Sequence, residues 1–223
     1  MNPTEVTPVL DVHPPHEPVH GWRDFLLHLI TITIGLLIAL SLEGVVEWQH
    51  HRHLAHDAEA GLHAEIKSNA EGLDGVLDDL HKRQATLKKD VSILQFIAKT
   101  GQNPPDKTMK VDFRVVTFDD VSWKTAQSTG ALSYIPYDLA RDYAGIYAQQ
   151  SILTASEEQA GRDSMVAIGH FVNDPDDGSP PSKEDAKAVI EKIEVLQGQL
   201  ILVDAYMKGL DTLYKQFLAA HPA

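Results

Sequence analysis

From Phe25 to Leu42 the chain reads FLLHLITITIGLLIALSL, eighteen residues in which His28 is the only ionisable side chain. As a helix rising ~1.5 Å per residue, such a run is about 27 Å long, close to the hydrocarbon thickness of a bilayer. Trp22 and Trp48 bracket it where interfacial aromatics sit. A cleaved leader would have a basic start, a shorter apolar core and a small-residue cleavage site. Here Glu5, Asp11 and Glu17 come before the run, and Leu42-Glu43-Gly44-Val45-Val46 closes it. The pattern predicts a transmembrane helix over 22–48 with its apolar part at Phe25–Val46.

Thr31, Gly35 and Ala39 recur every fourth residue along this helix, and Glu43 continues the stripe. Small residues at that spacing let two membrane helices approach closely. The face is therefore a candidate surface for homo-oligomers. Arg23 before the span and Arg52 after it balance each other, so the positive-inside rule gives no preference for either orientation.

The remainder belongs in water, because mean hydropathy over the whole chain is −0.20 even with the apolar run included. Lys and Arg number 19 against 32 Asp and Glu, a net charge of −13 that argues against nucleic acid as a partner. With no cysteine, disulfides, thiolate metal sites and cysteine nucleophiles are excluded.

Residues 1–21 hold five prolines and three histidines and read as a disordered tail. Past the span no helix breaker stronger than glycine occurs before Gly101, so the helix is expected to run on through the histidine-rich stretch. Ile66, Ala70, Leu73, Leu77, Leu80, Gln84, Leu87, Val91, Leu94 and Ala98 then form a 3-4 seam that is apolar except for Gln84. Gly101-Gln102-Asn103-Pro104-Pro105 should stop it. Phe113–Phe118 is β-like but has no partner strand, which predicts an extended connector. A short helix near Asp120–Gln127, a break at Ser128-Thr129-Gly130 and a long helix opened by Pro136 over Tyr137–Val172 follow. After a loop over 173–181, Ser182 with Asp185 suggests an N-cap. A last seam then comprises Ala186, Val189, Ile193, Leu196, Leu200, Val203, Met207, Leu210, Tyr214 and Phe217. The expected fold is all-α: one N-terminal transmembrane helix continuing into an antiparallel bundle of about three long helices, the soluble domain covering 49–223.

The densest candidate chemistry is His50, His51, His53, His56 and His63 beside Glu47, Asp57 and Glu59. Glu47-x-x-His50 matches one arm of di-iron carboxylate bundles, but no second Glu-x-x-His accompanies it. Three readings stand: a hydrated collar at the membrane surface, a pH sensor against anionic headgroups, and a divalent metal site. The collar is preferred, and no metal or cofactor is assigned. Ser128 and Thr129 with Asp119, Asp120 and His170 suggest a hydrolase only superficially, since no nucleophile elbow is present. Tyr134, Tyr137, Tyr143 and Tyr147 read as packing residues at a bundle edge. No catalytic residue is assigned.

Several short patterns resemble an uncharacterised bacterial family of single-span, membrane-anchored helical proteins. They are Ile34-Gly35-Leu36-Leu37-Ile38-Ala39-Leu40, Glu65-Ile66-Lys67-Ser68-Asn69 and Trp123 through Leu132, whose core is Ser128-Thr129-Gly130-Ala131-Leu132. Arg141-Asp142-Tyr143-Ala144-Gly145-Ile146-Tyr147 stands where that family has a helix ending in paired aromatics. The likeness covers roughly residues 22–150 and implies a membrane-anchored helical domain of unknown function, with no catalytic residues to transfer. The expected role is a non-catalytic interaction or scaffold protein in a bacterial inner membrane, its soluble domain periplasmic. Its partners would be the bilayer, a second copy and an unidentified membrane protein. The alternative is a tethered sensory domain that binds a small ligand, metal or proton and signals through a partner.

Overall fold

The computed structural model describes residues 21–105, 109, 116–172 and 180–222, with the backbone alone at 168 and 170–172. The tail at 1–20, the first half of the β-like run (113–115) and the loop at 173–179 lie outside the described residues. What is described is helical: α1 (Trp22–Thr100), α2 (Val121–Ser128), a 3-10 turn η1 (Ala131–Tyr134), α3 (Tyr137–Val172) and α4 (Lys183–Ala220). The chain divides into two compact units between His50 and His51.

In the first unit, α1 buries none of its side chains. In the second, the C-terminal half of α1 packs with α3 and α4. All ten residues of the α4 seam are buried. On α1 the buried face is wider than the seam and centred one row away. Ile66, Leu73, Leu80, Leu87 and Leu94 form its midline, with Leu62, Asn69, Asp90 and Ile97 buried on one flank. The opposite flank, Ala70, Leu77, Gln84, Val91 and Ala98, is only half-buried. A helix wedged between two neighbours needs an apolar face broader than a two-helix seam.

Hydrogen bonds fix the directions. His63, His81, Gln84 and Lys99 on α1 meet His221, Asp204, Leu200 and Lys183 on α4 at 2.8–3.2 Å, a register that runs antiparallel. Gln150 and Ser156 on α3 meet Tyr214 and Gln199 on α4, also antiparallel. Glu59 and Glu65 on α1 meet Tyr143 and Tyr147 on α3 in ascending order, so α1 and α3 run parallel. A parallel pair cannot be joined by a tight turn. Asp119 lies beside Asn69, so between Thr100 and Asp119 the chain returns along α1 by about 46 Å at ~1.5 Å of helix rise per residue. Each long helix was expected to fold straight back on its neighbour. Between α1 and α3 the chain instead returns along α1 before α3 begins.

The helix ends follow local chemistry. Gly101 adopts φ 73° and its N–H donates to Ile97 O at 2.7 Å, ending α1. A side chain there would also meet Lys183 Cε at 3.2 Å. Gly130, again at φ 73°, separates α2 from η1. The Ser182 hydroxyl accepts from the Asp185 N–H at 3.0 Å and caps α4.

Candidate functional site

One helix among the described residues, α1, is long and apolar enough to cross a membrane, and none of its apolar window is buried. Thirteen large apolar side chains from Phe25 to Val46 stand exposed. Leaving one such side chain uncovered costs about 1.5–3 kcal/mol, so the segment forgoes on the order of 20–40 kcal/mol unless something covers it. Its hydroxyls are engaged internally. Thr31, Thr33 and Ser41 donate to the carbonyls of Leu27, Leu29 and Leu37 at 2.6–2.8 Å. That is the arrangement a helix needs where no water is available. Among the described residues nothing beyond the helix's own backbone comes within 4 Å of the position a Gly35 side chain would take, so the Thr31, Gly35 and Ala39 face is open there.

The second candidate is a cluster of buried polar groups in the bundle. The stretch from Val116 to Asp119 has no regular secondary structure, so its backbone groups need partners from elsewhere. Side chains supply them. Asn69 Nδ2 donates to Asp119 O at 2.8 Å and Asn69 Oδ1 accepts from Asp119 N at 3.0 Å. Gln150 Nε2 donates to the same carbonyl at 2.9 Å, and Tyr214 Oη donates to Gln150 Oε1 at 2.9 Å. The Glu157 carboxylate accepts from Val116 N at 2.7 Å.

Glu65 links this cluster to α2. Its Oε2 accepts from Ser122 N at 2.7 Å and its Oε1 from Tyr147 Oη at 2.6 Å. Asp120, the residue at the N-cap of α2, makes no side-chain cap bond, so a carboxylate from another helix does that work. Gly61 admits this approach: a Cβ there would touch Ser122 Oγ at 3.4 Å. Trp123 stacks on Tyr147 with centroids 4.9 Å apart and planes 8° from parallel. Burial pushes the Tyr143 hydroxyl up to about 12, with the Glu59 charge adding to it. Burial also raises Tyr147 and Tyr214 strongly, Tyr147 further through its bond to Glu65. Burial raises Glu157 against the opposing pull of the Val116 N–H and Arg83.

The histidines do not converge. His51 stacks on Tyr134 at 3.9 Å, whereas His63 lies farther along α1, its Nε2–H donating to His221 O at 2.8 Å. His53 and His56 are exposed. Among the described residues no three His, Asp or Glu side chains are grouped to hold a metal ion. Tyr143 and Tyr147 are buried, as packing residues should be, while Tyr134 and Tyr137 are exposed. Asp119 takes part through its backbone, Asp120 pairs with Lys124 at 2.7 Å, and Ser128 and Thr129 bond to the Thr125 carbonyl. The His170 side chain lies outside the described residues.

Asn69, Gln150 and Glu157 escape a reading by periodicity, because polar residues at inward positions look like solvent positions. Glu65, Asn69, Trp123 and Tyr147, from three separate stretches of the chain, all contribute to this cluster.

Between α3 and α4 lies an open groove of about 370 Å³. Ile146, Leu213 and Phe217 form its apolar wall, and Arg141, Asp142 and His221 stand at its rim. Asp142 lies 3.9 Å from the Arg141 guanidinium and 3.7 Å from the His221 ring, beyond hydrogen-bond distance.

No family model, no curated protein and no solved structure matches the chain.

Proposed function

We propose that this protein is a single-pass protein of a bacterial inner membrane whose periplasmic helical bundle serves as an interaction or scaffold module, without catalysis. The observation that carries this reading is the uncovered apolar length of α1, for which lipid is the natural cover. The polar groups inside the bundle support the non-catalytic part, since the buried Asn69, Gln150 and Tyr214 and the half-buried Glu65 are engaged in holding the chain to itself. The partners proposed are the bilayer, a second copy through the Thr31, Gly35 and Ala39 face, and an unidentified membrane protein. The net charge of −13 argues against nucleic acid.

Crosslinking in native membranes followed by mass spectrometry tests the role. Reproducible crosslinks from the bundle to one membrane protein, or to a second copy, are expected. Recovery of the chain only as an isolated monomer in the soluble fraction would overturn the reading. The absence of native cysteine makes topology separately accessible. Glu5→Cys and Ala148→Cys variants should label from opposite sides of the membrane, Ala148 from the periplasm.

The groove between α3 and α4 favours a second reading, a tethered sensory domain for a small ligand. Apolar walls with a few charged groups at the rim are how small-molecule sites are commonly built. Ligand-dependent protection of Ile146 and Leu213 from hydrogen exchange would distinguish it from a scaffold.

A further inference from the structure

Tyr134 and Tyr137 stay outside the core, 44% and 80% exposed, at a corner formed by η1 and the first turn of α3. From Thr125 to Tyr137 the chain carries no charged side chain, although charged residues make up 23% of the sequence. The charges that bound this stretch are paired locally, Lys124 with Asp120 at 2.7 Å and Asp138 with Arg141 at 3.5 Å. We propose that the corner from Ser133 to Tyr137 is a lipid-docking surface, with Tyr134 and Tyr137 resting in the headgroup layer of the bilayer, a role that rests on reading α1 as a membrane span.

His51 is the first residue of the bundle unit, and its ring stacks on Tyr134 with centroids 3.9 Å apart. The chain from Val46 to His51 is helical, a rise of only about 7.5 Å, comparable to the depth of one headgroup layer. That length of chain bounds the distance from His51 to the end of the apolar run at any angle between the two units. Tyr137 comes six residues, ~9 Å of helix rise, before Tyr143, whose Oη donates to Glu59 O. Because α1 and α3 run parallel, Tyr137 lies about level with His53. At its own end α4 stops with His221 beside His63, ~18 Å farther along α1 than His51. Among the described residues, then, η1 and the start of α3 form the end of the bundle beside His51. A chain of net charge −13 is repelled by anionic headgroups, and an uncharged corner approaches them without that repulsion. Tyrosine suits the place, its ring apolar and its hydroxyl able to stay in water. A protein partner fits less well, because two rings on a corner offer far less than the ~800 Å² per side of a stable interface. A unit already tethered to the bilayer needs no such area, since the tether keeps the lipid at high local concentration.

The lack of native cysteine lets single spin labels be placed on the full chain in phosphatidylcholine nanodiscs. A label at Ser133→Cys sits beside both tyrosines without replacing either. A label at the exposed Ala155→Cys lies ~27 Å farther along α3 than Tyr137 and serves as the aqueous control. Collisions with oxygen, which concentrates in lipid, are compared with collisions with a nickel chelate, which stays in water. The Ser133 label should show a several-fold higher oxygen-to-nickel ratio than the Ala155 label, and Tyr134→Ser with Tyr137→Ser should abolish the excess. Equal ratios at the two sites overturn the docking, as does an excess that survives the double variant with its helical signal intact. Shielding of Ser133 from both reagents would mean that protein covers the corner, and overturns it as well. If the double variant unfolds, the comparison of Ser133 with Ala155 in the presence of both tyrosines decides. A third label at Leu37→Cys separates the two readings. Lipid contact at Leu37 with water at Ser133 removes the docking alone, whereas water at Leu37 removes the span itself.

Discussion

Asn69 holds Asp119 as a neighbouring β-strand would, its side-chain amide giving one hydrogen bond to the residue's carbonyl and taking one from its N–H, at 2.8 and 3.0 Å. The two termini of one side-chain amide stand in for a ladder partner at a residue outside regular secondary structure. Asn69→Leu preserves approximate volume but leaves the Asp119 N–H without its partner, while the carbonyl keeps its bond from Gln150. The expected loss is about 1–3 kcal/mol, the cost of one unsatisfied buried group. Chemical denaturation of the detergent-solubilised protein measures it. A loss no larger than that of an exposed control such as Lys88→Ala, within about 0.5 kcal/mol, would remove the clasp from the account.

The α4 seam makes a sharper contrast. Leu210 is fully buried, whereas Ile201 on the same helix is 67% exposed. Leu210→Ala should cost about 2–5 kcal/mol and Ile201→Ala no more than about 0.5. Thermal unfolding followed by helical circular dichroism ranks them. Equal effects would mean that α4 faces a different way.

Alkaline pH should unfold the bundle through its tyrosines. Burial holds Tyr143 up at about 12 from an ordinary value of about 10, and Tyr147 and Tyr214 are raised in the same direction. A group with a raised folded value contributes stability that is complete below its unfolded value, here about pH 10. That contribution falls away as pH rises through about 12. Tyrosinate absorbance from these three rings should therefore appear together with loss of helical signal. Ionisation of all six tyrosines with the helices intact would contradict the burial described.

Gly35→Leu tests the proposed pairing of two spans through the Thr31, Gly35 and Ala39 face. With Gly35 open on its surface, a leucine fits the isolated helix but keeps a second helix at a distance. The variant is expected to run as a monomer under detergent conditions in which the wild type is a dimer, with unchanged membrane retention. Equal masses for the two would place any self-association elsewhere.

How much of this was legible in the sequence depends on which residues face which neighbours. The α4 seam could be read in full because an apolar stripe against an apolar core obeys one period. The cap at Ser182 and the stop at Gly101 were legible because their geometry is local. The buried face of α1 was read one row off, because its second flank carries Asn69 and Asp90, polar residues that a periodicity count assigns to solvent. The burial of Asn69 makes sense only once Asp119, fifty residues on, comes to lie beside it. Glu157 is hidden in the same way: nothing around it in sequence announces that Val116 will approach. The groove between α3 and α4 could not be read either, since its walls come from residues about seventy positions apart.

The parallel run of α1 and α3 has a consequence for how the chain is made. Each tie that closes the end of α1 nearest His63 reaches far ahead in the chain, the bond to His221 spanning 158 residues. When Thr100 leaves the ribosome, none of the partners for that buried face exists yet. At ~5–20 residues per second, about 6–24 s of further synthesis separate it from His221. During that interval the second half of α1 is a naked amphipathic helix beside an apolar one. A newborn chain in that state needs a temporary companion, whether a chaperone or the lipid surface, before its own C-terminus arrives to replace it.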